Sequence, residues 1–106
     1  MPTHLFGGVL RAPVGVVCAS VSGKISLHVS SSTFQGLGVT GGEPVSVELP
    51  QVGPSDGFYF VITNIGPPES PDLVLTDGTS TVTTVGAGRG TVVACDGACW
   101  YVALQG

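Results

Sequence analysis

The spacing most able to carry chemistry is Cys95-Asp96-Gly97-Ala98-Cys99. Two cysteines flanking a hairpin tip can form a cross-strand disulfide, provided the local twist brings their Cβ atoms to about 4 Å. Two unpaired thiols are the competing outcome, and the sequence leaves both open. A metal site would need two further ligands, and no second Cys or His pair with finger spacing exists. Cys18 sits among Val16, Val17 and Ala19, the setting of a buried thiol and not of a nucleophile. His28 falls on the polar side of an alternating stretch and His4 near the N-terminus; Ser and Asp are plentiful, but abundance alone does not make a Ser-His-Asp set with either. Every acid except Glu48 falls in or beside a turn signal, so paired carboxylates for glycoside chemistry have no frame. Gly86-Ala87-Gly88-Arg89-Gly90 resembles a phosphate cradle in composition only. It is followed by Thr91-Val92-Val93, a strand where a phosphate loop requires a helix. The expectation is a chain with no catalytic residues and no cofactor, in which Arg89 pairs with an acid of a neighbouring subunit.

The elements that would hold these residues are strands. Gly (17) and Pro (8) make up about a quarter of the 106 residues, and 17 Val, 3 Ile and 10 Thr supply β-branched positions. Gly or Pro recurs too often for an amphipathic helix of useful length. Residues 24–30 alternate, with Ile25, Leu27 and Val29 on one face and Lys24, Ser26, His28 and Ser30 on the other. Residues 45–49 repeat the pattern and stop at Pro50. Residues 58–63 are apolar on both faces, which places them centrally: Phe58, Phe60 and Ile62 toward the core, Tyr59, Val61 and Thr63 toward a neighbour or second sheet. Further strands are expected at 5–11, 14–22, 72–76, 80–85, 90–95 and 99–104. Turn signals separate them, among them Ser22-Gly23, Gly41-Gly42, Asp77-Gly78 and Asp96-Gly97. Adjacent strand residues face opposite ways, so Trp100 is assigned to the core and Tyr101 to an interface; an exposed Trp100 would favour a sugar-stacking platform. The fold expected is all-β, a single small β-sandwich or jelly-roll-like barrel of eight or nine short strands spanning residues 1–106.

Charge narrows the function classes. Asp, Glu, Lys and Arg make up 9% of the chain, against about 25% in ordinary globular proteins. With 42% hydrophobic residues, the surface is expected to lie partly against other subunits. Three basic residues (Arg11, Lys24, Arg89) against seven acids cannot neutralise many phosphates, which disfavours nucleic acid, and they exclude a basic membrane-surface face. The longest apolar run of the aromatic strand, Phe58 to Ile62, is far short of the roughly 20 residues of a membrane helix. The stretch from Met1 to Ser20 is apolar, yet it opens without Lys or Arg, carries Arg11 centrally and is cut by Gly7, Gly8, Pro13 and Gly15, unlike a signal peptide.

Val45-Ser-Val-Glu-Leu-Pro50, Gly57-Phe-Tyr-Phe-Val-Ile-Thr-Asn64, a Val/Thr-rich pair of strands and Gly90-Thr-Val-Val-Ala-Cys-Asp-Gly-Ala-Cys-Trp100-Tyr-Val follow one another in that order. The series resembles a pattern recurrent in bacteriophage virion proteins, the small β domains of capsid decoration (cement) proteins, head fibres and tail fibres. It covers residues 45–104, and Cys95 and Cys99 are no part of it. The resemblance implies a structural virion protein without catalysis, commonly a homotrimer, whose partner is the major capsid protein or another virion protein. Its place would be the capsid surface, after assembly in the host cytoplasm, with residues 1–12 as an N-terminal arm of the kind such proteins use, residues 2–11 adding a strand to a neighbour and Leu5 and Phe6 joining the interface. The alternative is a head- or tail-fibre or receptor-binding module that recognises surface carbohydrate through residues 67–72 and exposed aromatics. A secreted binding domain comes after both.

Overall fold

The computed structural model describes residues 16–106. Residues 1–15, with the expected strand at 5–11, the arm, Leu5 and Phe6, lie outside the described residues. Among the described residues the strands are β1 (Val16–Val21), β2 (Lys24–Ser26), β3 (Phe34–Val39), β4 (Val45–Glu48), β5 (Tyr59–Asn64), β6 (Leu73–Thr76), β7 (Thr81–Val85), β8 (Gly90–Cys95) and β9 (Trp100–Gln105). They form a five-stranded first sheet, ordered β1-β3-β5-β8-β9, and a four-stranded second sheet, ordered β2-β4-β6-β7. The all-β, two-sheet arrangement agrees with the sequence reading.

The connectivity differs from a set of hairpins. Up to β6 the chain changes sheet at every connection, so successive visits to one sheet run the same way. β1, β3 and β5 are mutually parallel, as are β2, β4 and β6. Parallel neighbours need a crossover, and here a strand of the opposite sheet serves as one. The first corner takes only Ser22 and Gly23, and Gly23 adopts a φ of 75° that a residue with a Cβ rarely tolerates. The winding ends where Asp77 to Ser80 turn β6 back on β7. β8 then lies antiparallel to β5, and β9 antiparallel to β8. Gln105 closes one side, donating from Nε2 to Thr84 O at 2.8 Å and accepting from Thr83 Oγ1 at 2.8 Å.

One strand, β3, falls where the sequence reading places none, and one expected strand is cut short. β3, Phe34-Gln-Gly-Leu-Gly-Val39, carries two glycines and inverts the polarity rule at its start: Phe34 is exposed and Gln35 buried. Gln35 is tolerated inside because its Nε2 donates to Ser32 O at 2.7 Å. The alternating stretch 24–30 is strand only to Ser26. Leu27 is still buried, but the chain then bends, with the His28 amide donating to Ser31 Oγ and the Ser31 amide to His28 O.

Between the sheets lie Leu37, Val39, Val45, Val47, Phe60, Ile62, Leu73, Leu75, Val85, Val93 and Trp100, all buried. Each such side chain removed from water contributes about 1.5–3 kcal/mol before entropy is counted. Phe60 and Ile62 are fully buried, as the stripe assignment requires, while Phe58 is only half-buried. Trp100 packs against Phe60 with ring centroids 5.8 Å apart, and its indole Nε1 donates to Pro50 O at 2.7 Å. The one polar atom of this large side chain is therefore satisfied.

Candidate interaction face

The residues of the first sheet that point away from the core form cross-strand rows set by the register. Phe34, Val61, Val92 and Leu104 are neighbours in one row. Tyr59, Ala94 and Tyr101 form the next. On the other side lie Cys18, Gly36, Thr63 and Gly90, and beyond them Ser20 and Gly38. No Asp, Glu, Lys or Arg stands in any of these rows. Phe34 is 41% exposed, Tyr101 46% and Leu104 69%, so large apolar side chains face outward without cover from the described residues. Gly36 and Gly38 of β3 keep the β1 side of the face low.

Of the residues expected at an interface, Tyr59 and Tyr101 are brought together. They flank Ala94 across β5, β8 and β9 and line one hollow of about 400 Å³ with Gly57, Phe58, Val92 and Cys95. Two strand spacings separate the tyrosines, about 9.6 Å. Ala94 leaves a small floor between two aromatic walls. Arg89 is exposed but stands at the opposite end of the sheet, in the turn whose Gly88 amide donates to Asn64 O. Cys18, expected to be buried, is exposed on the face.

Cys95 and Cys99 are not joined; both thiols are free. The register explains this, because Cys95 is paired with Trp100 and Cys99 belongs to the turn. Cys95 points inward, its thiol donating to Val52 O at 3.3 Å, and burial pushes it above the ordinary thiol range. Cys99 is exposed. The tip is instead locked by Asp96, whose Oδ1 accepts from the amides of Ala98 and Cys99 at 2.9 and 3.0 Å. Asp77 builds the same device at the β6–β7 tip, accepting from Thr79 and Ser80, both at 2.8 Å. In each tip the following glycine takes a left-handed conformation, with φ of 96° at Gly78 and 90° at Gly97. Both tips and the turn at Gln51 to Pro54 border one cleft of about 510 Å³.

A residue whose structural role went unread is Asn64, fully buried at the end of β5. Its Nδ2 donates to Pro71 O and Val85 O, both at 3.1 Å, and its Oδ1 accepts from the Gly66 amide at 3.0 Å. It thereby clasps both ends of the proline-rich connection between β5 and β6. The legible signal was an Asn closing an aromatic strand just before Gly66 and Pro67. Gly66 itself has no room for a side chain, since an added Cβ would collide with Ser70. His28 is exposed in its bend. Among the described residues no group of three His, Cys, Asp or Glu side chains could hold a metal ion.

The chain matches no protein-family model, and comparison with curated proteins and with solved structures found no similar one.

Proposed function

We propose that this chain is a structural assembly subunit, and that the assembly is a bacteriophage virion in which it serves as a capsid decoration (cement) protein working as a homotrimer. The observation that carries the assembly part is the charge-free outer face of the first sheet, where Phe34, Tyr101 and Leu104 are exposed and Tyr59, Val61 and Val92 lie half-buried between them. A contiguous apolar face on a chain this small is a docking surface. The virion part rests on the sequence resemblance over residues 45–104. A subunit that binds only the assembled shell adds its binding free energy to the shell by linkage, so the mechanism is mechanical and needs no catalytic group. The carbohydrate-reading alternative loses its best platform, because Trp100 is in the core.

Two measurements test this. Light scattering on the purified chain is expected to give three times the chain mass of 10.6 kDa. A species of the single-chain mass at micromolar concentration overturns the assembly reading. Antibody raised against the chain is expected to label the surface of intact phage particles from cells carrying its gene, and particles free of the chain overturn the virion reading.

A further inference from the structure

The two ends of the apolar face are built differently. At the start of β5 is the slot between Tyr59 and Tyr101, floored by Ala94; Asp96 and Asp56 follow and precede two of its lining residues, Cys95 and Gly57, and Asp56 lies beside Gly97. At the far end, five residue steps or about 17 Å along the strand, the chain leaves Asn64 for an exposed crest, Pro67 and Pro68. This crest is held in one shape. Asn64 clasps it at Gly66 and Pro71, the Ser70 amide and hydroxyl both donate to Pro67 O, and Glu69 adopts a φ of 75° that is rare for a residue with a Cβ. Arg89 is exposed at the same end, and no ion pair engages it among the described residues.

We propose that copies of this chain join head to tail, the Pro67 and Pro68 crest of one seated between Tyr59 and Tyr101 of the next; this rests on the assembly reading above and states how the copies meet. Proline rings fit aromatic-walled grooves, and a loop already fixed in shape loses little entropy on docking. The slot spans about 9.6 Å between strand axes, enough for one ring between two others. Crest and slot are at opposite ends of one rigid sheet, so no chain can fill its own slot. The occupant is a second copy and the contact is heterologous, which in the trimer proposed above closes as a ring of three. The same approach brings Arg89 of one copy toward the acidic rim at Asp56 and Asp96 of the next. Asp72 lies beside Arg89 near Gly86, so this charge contribution is small and the joint tolerates salt.

The test uses two variants, Tyr101→Ser with the crest intact and Pro67→Ser/Pro68→Ser with the slot intact, each first shown to melt as wild type does. Each alone is expected to run as a monomer. Mixed in equal amounts, they retain one working joint between unlike chains and are expected to give a dimer, twice the chain mass of 10.6 kDa. Ala94→Arg, which fills the slot from its floor, stands in for Tyr101→Ser should that variant not fold. A trimer that survives either change overturns the joint, as does a pair of monomers that mixing leaves apart. Should Val61→Asp dissolve the wild-type assembly while both variants remain trimeric, the assembly reading stands and the head-to-tail joint falls. A monomeric wild type overturns both.

Discussion

The outer faces of the two sheets share one backbone pattern and carry opposite chemistry. On the second sheet the outward rows are Lys24, Ser46, Val74 and Thr84, then Ser26, Glu48, Thr76 and Thr81. Lys24 pairs with Glu48 at 3.6 Å, and Ser26 donates to the same carboxylate at 3.3 Å. This is a solvated sheet face, half polar and half buried along each strand. The first sheet has the same inward stripe of Leu37, Phe60, Ile62 and Val93, yet its outward rows are mostly Phe, Val, Tyr, Ala, Gly and Leu, with Cys18, Ser20 and Thr63 toward one end and no charge. The inward stripes alone bury the core in both sheets. Folding therefore does not require the apolar outer rows, and something other than folding accounts for them.

The sharpest way to break this contrast is to cross the strand at one position. Phe60→Ala removes a fully buried ring that packs on Trp100 and is expected to cost about 3–5 kcal/mol in denaturant unfolding. The neighbouring change Val61→Asp, on the outer face, is expected to leave unfolding within about 0.5 kcal/mol of wild type while abolishing assembly in light scattering. If Val61→Asp instead unfolds the domain, the outer face is part of the core and the comparison fails.

Asn64→Ala comes next in size. It strands the carbonyls of Pro71 and Val85 and the Gly66 amide, and an expected loss of about 1–3 kcal/mol would show in thermal unfolding. Smaller still is the control on the second sheet. Thr84→Asp lies in a row that already faces water, so neither stability nor oligomer mass is expected to change measurably. An equal loss of assembly from Thr84→Asp and Val61→Asp would show that charge anywhere disrupts the particle, not charge on one face.

The smallest effect concerns the tips. Backbone amides of Ser80 and Thr79 hold the Asp77 carboxyl below the usual carboxylate range, and those of Ala98 and Cys99 do the same for Asp96. A lowered folded value means the stabilisation is complete above the unfolded carboxylate value, near pH 4, and is lost as pH falls through the folded one. Acid titration of the melting temperature is expected to show a shallow decline there. Asp77→Asn with Asp96→Asn keeps an acceptor oxygen at each tip and is expected to flatten it.

What was legible in the sequence followed local rules. Alternation located residues 45–49, Asp-Gly marked both tips, and the Phe60 and Ile62 stripe lay on the buried side as read. Tyr59 and Tyr101 were assigned outward from strand parity alone, and the sheet makes them neighbours across Ala94. The illegible part is non-local. β3 hides behind Gly36, Gly38 and an inward Gln35 because its place is fixed by β1 and β5 on either side, not by its own propensity. Parallel pairing leaves no turn signature at all, since the partner strands are separated by a visit to the other sheet. The disulfide question turned on a one-residue difference in pairing, which no spacing rule resolves.

The alternation between sheets also sets how such a molecule can change in size. Val16 pairs with Phe34 and Phe34 with Val61, so one lap of the chain runs from Val16 to Phe34 and the next, a longer one, from Phe34 to Val61. Each lap adds one strand to both sheets and lengthens the stack by about 4.8 Å. Growth by evolution or design is therefore quantised: a whole lap inserted before β5 extends the apolar face and leaves the slot, the crest and the antiparallel closure where they are, whereas half a lap would exchange the two sheets and put the wet rows where the apolar ones stand.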